Sequence, residues 1–148
     1  MKTQRGIRLF VALILVLLVI LFSILFFAPP KFNDSKIIDT VVNVIDGDTF
    51  EYYNENNERQ TIRLLCVDTP EKNDFGYEEA KLFLESLILS KQVELKASVT
   101  DKDAYNRLLR YVYINSTGDE KILVNKLILN ENYGQLLVIP PETCEEMN

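Results

Sequence analysis

Residues 9–28 read LFVALILVLLVILFSILFFA, a run broken only by Ser23. At about 1.5 Å of rise per residue, a helix of that length spans the ~30 Å hydrocarbon core of a bilayer. It has no polar face, unlike a helix that lays one side on a protein core. Lys2, Arg5 and Arg8 precede it without an accompanying acid, and Pro29-Pro30 follow Ala28. The sequence therefore predicts a basic cytoplasmic tail over residues 1–8, a single transmembrane signal anchor over 9–28 and a linker over 29–39. The remainder lies outside the cell membrane by the positive-inside rule. Secretion after signal cleavage is the lesser alternative. A cleavable signal carries roughly 7–15 apolar residues and a small-residue exit, whereas this run is longer and ends on Phe26 and Phe27.

What remains is room for one ordinary domain within a chain of 148 residues. There is no histidine, and only two cysteines. That excludes imidazole bases, His-ligated zinc hydrolases and Cys-rich metal sites. Chemistry must run on carboxylates, arginine, lysine, hydroxyls and, if a metal is needed, a hard cation that accepts oxygen ligands. Removing the three cations of residues 1–30 from a net charge of −6 leaves −9 on the exported part. Such acidity counts against tight binding of nucleic acid, whose affinity comes largely from basic side chains.

From Thr40 the pattern predicts strands over 40–45, 49–53, 60–67, 93–99 and 108–114. The spacing of Ala80, Phe83, Leu84, Leu87 and Ile88 predicts a helix over 78–89, and a second is expected over 122–130, ended by Asn132. Asp46-Gly47 reads as a turn. The order β-β-β-α-β-β-α defines an α+β, mainly β fold. It suits a five-stranded barrel of the OB type, and periodicity alone does not separate that from another α+β sandwich. The domain is expected over 40–139, followed by an acidic C-terminal tail over 140–148.

Three segments carry candidate chemistry. Asp46-Gly47-Asp48-Thr49 is, taken alone, a hairpin turn. Arg63-Leu64-Leu65-Cys66-Val67-Asp68-Thr69-Pro70-Glu71 places an arginine and two acids at the end of an apolar strand, where unpaired charge is costly. Asp103-Ala104-Tyr105-Asn106-Arg107 enters the last strand through a tight turn. Together they resemble the thermonuclease family, the staphylococcal-nuclease-like OB-fold enzymes, over about 40–137. The resemblance implies that Asp48, Asp68 and the backbone carbonyl of Thr69 bind Ca²⁺. It further implies that Glu71 is the general base, that Arg63 and Arg107 hold the phosphate, and that Tyr105 lines the nucleotide pocket. It also implies a monomeric, Ca²⁺-dependent endonuclease that hydrolyses DNA and RNA, single-stranded stretches preferred, to 3′-phosphate products. In a regular strand Arg63 and Asp68 have opposite parity, so a bulge or bend must bring them together.

The chain departs from the family in having Asn106 where glycine is usual, and Leu136-Leu137-Val138-Ile139-Pro140 where stacking tyrosines often stand. The third helix usual in the family has no periodic counterpart after Pro140. Cys66 reads as a core residue and Cys144 as a tail residue, with a bridge between them the lesser reading. The alternative to an enzyme is a tethered OB-fold module that binds nucleic acid with little or no catalysis.

Overall fold

The computed structural model describes residues 13–22, 35–38, 40–116 and 120–147, and the chain divides into two units, residues 1–31 and 32–148. In the first unit, residues 13–22 are helical (α1), with exposed apolar side chains from Leu13 to Phe22. No helix among the described residues is long and apolar enough to cross a membrane. The basic tail over 1–8 and the rest of the span expected over 9–28 lie outside the described residues, as does most of the linker.

The second unit is α+β and mainly β. Its strands are β1 (Ser35–Ile38), β2 (Val41–Val44), β3 (Thr49–Tyr53), β4 (Arg59–Leu64), β5 (Val67–Asp68), β6 (Val93–Lys96), β7 (Leu108–Asn115), β8 (Lys121–Leu123) and β9 (Gln135–Leu136). Helix α2 (Tyr77–Ile88) lies between β5 and β6, and α3 (Val124–Asn130) follows β8. The main sheet runs β1-β6-β7-β4-β3-β2, with β8 on β7, while β5 and β9 form a separate pair. The β4–β7 ladder is parallel; the other ladders are antiparallel. The parallel register pairs Arg63 with Leu109, which brings the ends of two candidate motifs side by side. The sheet is mixed, and no ladder joins β1 to β2 among the described residues.

Phe50, Ile62, Leu64 and Val112 from the sheet are fully buried against Leu84 and Ile88 of α2 and Ile128 of α3. Each such side chain contributes about 1.5–3 kcal/mol on burial. Asn125 of α3 is also fully buried, and its polar atoms are all used. Its Oδ1 accepts the Val112 N–H at 2.8 Å, and its Nδ2 donates to the carbonyls of Leu65 (2.9 Å) and Arg110 (3.2 Å).

All five expected strands form: β3 runs over the residues expected and β7 one residue further, β2, β4 and β6 are shorter than read, and four further short strands join them. The run over 60–67 is not one strand: β4 stops at Leu64, Cys66 takes φ 62°, and β5 begins at Val67. That left-handed residue is the bend which the parity of Arg63 and Asp68 requires. Residues 121–123 pair with β7 before the helix starts, and Asn132 ends the segment at φ 62°. Ser35–Ile38, expected to be irregular linker, pairs with β6. Cys66 and Cys144 form a disulfide, against the expectation of two separate cysteines. It anchors the C-terminal segment, which packs Cys144 and Met147 against Leu65 and Tyr111 and ends in a 3₁₀ turn (Glu145–Met147). Within the tail, Glu142 and Cys144 are buried.

Candidate active site

The loop between β2 and β3 delivers Asp48. The Asp46 side chain accepts the Asp48 N–H at 3.1 Å, the Ile45 N–H donates to the Thr49 carbonyl at 2.9 Å, and the Leu64 N–H bonds the Asp48 carbonyl at 2.8 Å. Gly47 is needed here for room. A Cβ on it would stand 2.7 Å from the Ala80 Cβ and 2.8 Å from the Thr69 Oγ1. Asp48 is 5% exposed. Its Oδ2 accepts from Arg63 Nη1 at 2.8 Å, and from the Thr69 N–H and Oγ1 hydroxyl, both at 3.0 Å. Burial pushes its carboxyl up from 3.8 to about 6; the Arg63 charge opposes that rise, and neighbouring Asp46 adds to it.

Arg63 stands where β4 ends, and the bend at Cys66 folds the chain back over it. Its Nη1 donates to the carbonyls of Val67 (2.8 Å) and Leu64 (3.3 Å), and its Nη2 lies 3.6 Å from Asp68 Oδ1. Both acids therefore face one guanidinium. Gln135 on β9 donates Nε2 to Asp68 Oδ2 at 3.1 Å. Among the described residues no group of three acidic, cysteine or histidine side chains forms a metal cluster. By donor chemistry Asp48, Asp68 and the Thr69 carbonyl nonetheless suit a hard cation: all are oxygens, and a buried carboxylate gains from a positive neighbour.

Arg107 sits immediately before β7, in a turn organised by Asp103. The Asp103 Oδ1 accepts the N–H groups of Tyr105 and Arg107, each at 2.9 Å, and its Oδ2 accepts Arg107 Nε at 2.6 Å. Burial raises the Asp103 carboxyl, and these hydrogen bonds outweigh it and hold the group below its ordinary value. Asn106 takes φ 65°, a left-handed position that asparagine tolerates. The Arg107 guanidinium carbon lies 5.4 Å from the centre of the Tyr105 ring, which is 81% exposed. Arg63, Tyr105 and Arg107 line one cavity of about 470 Å³, most of whose other walls are apolar.

Glu71 is exposed and is not among the residues lining the arginine cavity. It lines a second cavity of about 490 Å³ with Asp68, Thr69, Asp74 and residues 132–135. Asp68, which faces Arg63, also lines this second cavity. Asp103, within the third segment, was given no role in the sequence, and Gln135 was not singled out. Asp103 had a legible signal, since an aspartate two and four residues ahead of donor N–H groups is a turn former. Gln135 had none, because its contact depends on β9 pairing with β5.

Residues 61–144, more than half of the chain, match the family described as staphylococcal nuclease homologue. The chain is 32% identical over 107 residues to Endonuclease YncB of Bacillus subtilis, covering 66% of this chain and 50% of that protein. It is 33% identical over 81 residues to the Thermonuclease of Staphylococcus hyicus, covering 50% of this chain and 47% of that protein. A Methanocaldococcus jannaschii protein is 33% identical over 146 residues, covering 77% and 69%. The chain spans about half the length of the two relatives named for nuclease activity.

Proposed function

The chain belongs to the staphylococcal nuclease homologue family, and on that premise we propose that it is a Ca²⁺-dependent endonuclease that hydrolyses phosphodiester bonds of DNA and RNA. Accessible single strands are preferred, and the products end in 3′-phosphate. The observation that carries this reading is the convergence of Arg63, Arg107 and Tyr105 on one cavity, with Asp48 and Asp68 against the Arg63 guanidinium.

Arg63 and Arg107 are the groups that grip the scissile phosphate. A planar guanidinium offers two parallel N–H groups to phosphate oxygens, and its charge opposes the negative charge that grows as phosphorus becomes five-coordinate. Arg107 is held through Nε by Asp103, which orients it without using its terminal nitrogens. Tyr105, exposed beside it, offers a ring face to a base. Glu71 is the acceptor of the proton from the attacking water, in keeping with its exposure. Asp48, Asp68 and the Thr69 carbonyl are the proposed Ca²⁺ ligands; when bound, the ion supplies positive charge for the phosphate and a more acidic water.

The OB barrel belongs to the same reading. Its strands would be β2, β3, β4, β7 and β6, neighbours in that order. A bridge from Val41 to Leu89, just ahead of β6, supports closure. We also place the monomeric domain outside the cell membrane, held by residues 9–28 or released by cleavage within them.

The test is cleavage of denatured DNA by the purified protein, with Ca²⁺ and with chelator, beside Glu71→Gln. Calcium-dependent cleavage lost in the variant is expected. Cleavage that survives in the variant would remove Glu71 from its role. The exposure of Glu71, which lines a different cavity from the arginines, favours a second reading, a tethered module that binds nucleic acid without cutting it; a folded chain that binds oligonucleotide and never cleaves it would establish that one.

A further inference from the structure

The cavity that holds Arg63, Tyr105 and Arg107 has a wall built from the C-terminal segment: Leu137, Ile139, Pro140, Pro141 and Glu142. Two residues beyond it, Cys144 is bonded to Cys66. Cys66 is the left-handed bend between β4 and β5, and the next carbonyl, that of Val67, is the one that receives Arg63 Nη1. The disulfide therefore joins the cavity wall to the turn that orients Arg63.

The Leu137 N–H reaches the Cys66 carbonyl at 3.3 Å and Met147 packs on the core; the other ties are polar. Glu142 Oε1 accepts the Thr100 N–H at 2.7 Å, and Glu146 takes Lys96 Nζ at 2.5 Å and the Tyr113 hydroxyl at 2.6 Å. The Lys96–Glu146 pair is about one-third exposed on both sides, where ion pairs contribute little. Glu142 opposes its own seating. It is 7% exposed, and its Oε2 is buried with no hydrogen-bond partner among the described residues. A buried carboxylate oxygen without a partner carries a desolvation cost.

We propose that residues 137–142 are a strap completing the substrate cavity, and that the Cys66–Cys144 disulfide is its latch, so that the wall is seated in the oxidised chain and released by a dithiol. The identity of the substrate rests on the nuclease reading; the strap and its latch do not. In the release step a thiolate of the dithiol attacks one sulfur and frees the other cysteine as a thiolate; the second thiol then displaces the attacked sulfur from the mixed disulfide. The dithiol is oxidised to its own disulfide, and two electrons and two protons pass to Cys66 and Cys144.

The experiment compares the full chain, oxidised and after dithiol treatment and alkylation, by three readouts. These are limited proteolysis within 137–143, far-UV circular dichroism, and binding of a fluorescein-labelled single-stranded DNA decamer in chelator. Expected are new cleavage in the strap, an unchanged dichroism spectrum and roughly tenfold weaker binding on reduction, with KM rather than kcat carrying the loss in activity. Glu142→Gln, which removes the buried charge, should restore part of the binding in the reduced chain. Ile139→Ala tests the wall separately. Its side chain is 61% exposed, so folding is not at stake, and a several-fold loss of decamer affinity in the oxidised chain is expected.

Equal protease resistance in the two redox states overturns the latch. So does loss of the dichroism spectrum on reduction, since the bond would then hold the whole fold. Unchanged affinity in Ile139→Ala overturns the wall. An oxidised chain that binds no decamer counts against the nuclease reading, while strap proteolysis, which needs no ligand, still decides the latch.

Discussion

Arg63 meets the Asp48 carboxylate, the Asp68 carboxylate and the carbonyls of residues 64 and 67 through one planar group that is 13% exposed. A single ammonium cannot reproduce that fork. Arg63→Lys should therefore lower kcat/KM on denatured DNA by about 10²–10³, the usual loss for one donor to a developing negative charge; initial rates at low substrate measure it. Asp48 makes a second prediction. Its carboxyl titrates near 3.8 in the unfolded chain and near 6 in the folded one, so between those values the folded state holds a proton that the unfolded state has released. The stability that this group contributes is full below about pH 4 and is lost as pH rises through about 6, an effect of about 3 kcal/mol. In chelator, the unfolding free energy of wild type relative to Asp48→Asn should fall by that amount between pH 4 and pH 7. A difference that grows with pH would contradict it. Asp103→Ala removes three hydrogen bonds from the Tyr105–Arg107 turn, and kcat/KM should drop roughly tenfold as Arg107 loses its orientation.

Among the elements, the ones legible in sequence are those whose burial repeats at a fixed period. Helix α2 buries Ala80, Leu84 and Ile88 as its spacing required, and Thr49–Tyr53 runs over the residues expected. The misreadings lie where the decisive contact is remote or rests on the main chain. The apolar run from Leu64 to Val67 conceals a left-handed cysteine, because side-chain hydrophobicity carries no information about φ. Ser35–Ile38 is a strand by virtue of its pairing with β6, far along the chain. The site was legible as three motifs. Their mutual geometry, with Arg63 between two acids and Glu71 on a separate cavity, was not. The cysteines are 78 residues apart, a separation from which no pairing follows. That distance also sets the value of the bond. Closing so long a loop restricts the unfolded chain by about 4 kcal/mol in the entropic account. Cys66→Ser with Cys144→Ser should lower the unfolding free energy by that order, read from urea titrations, with the m-value increased as the unfolded state expands.

For the whole molecule, a net charge of −6 offers no overall attraction to a polyanion, so on the function proposed the attraction is local to Arg63 and Arg107. If they make the phosphate contacts, the logarithm of decamer affinity should fall against the logarithm of salt with a slope near −1.4, about 0.7 for each phosphate neutralised on a single strand. A much steeper slope would require further cations at the interface. The parallel alignment of β4 with β7 has its own consequence for timing. Neighbouring strands such as β3 and β4 pair through a short turn, whereas Arg63 comes beside Leu109 only after β5, α2 and β6 have been threaded into the crossover. A chain growing from a ribosome displays Arg63 long before Arg107 has been added. On the function proposed, it has no paired grip on phosphate until β7 docks.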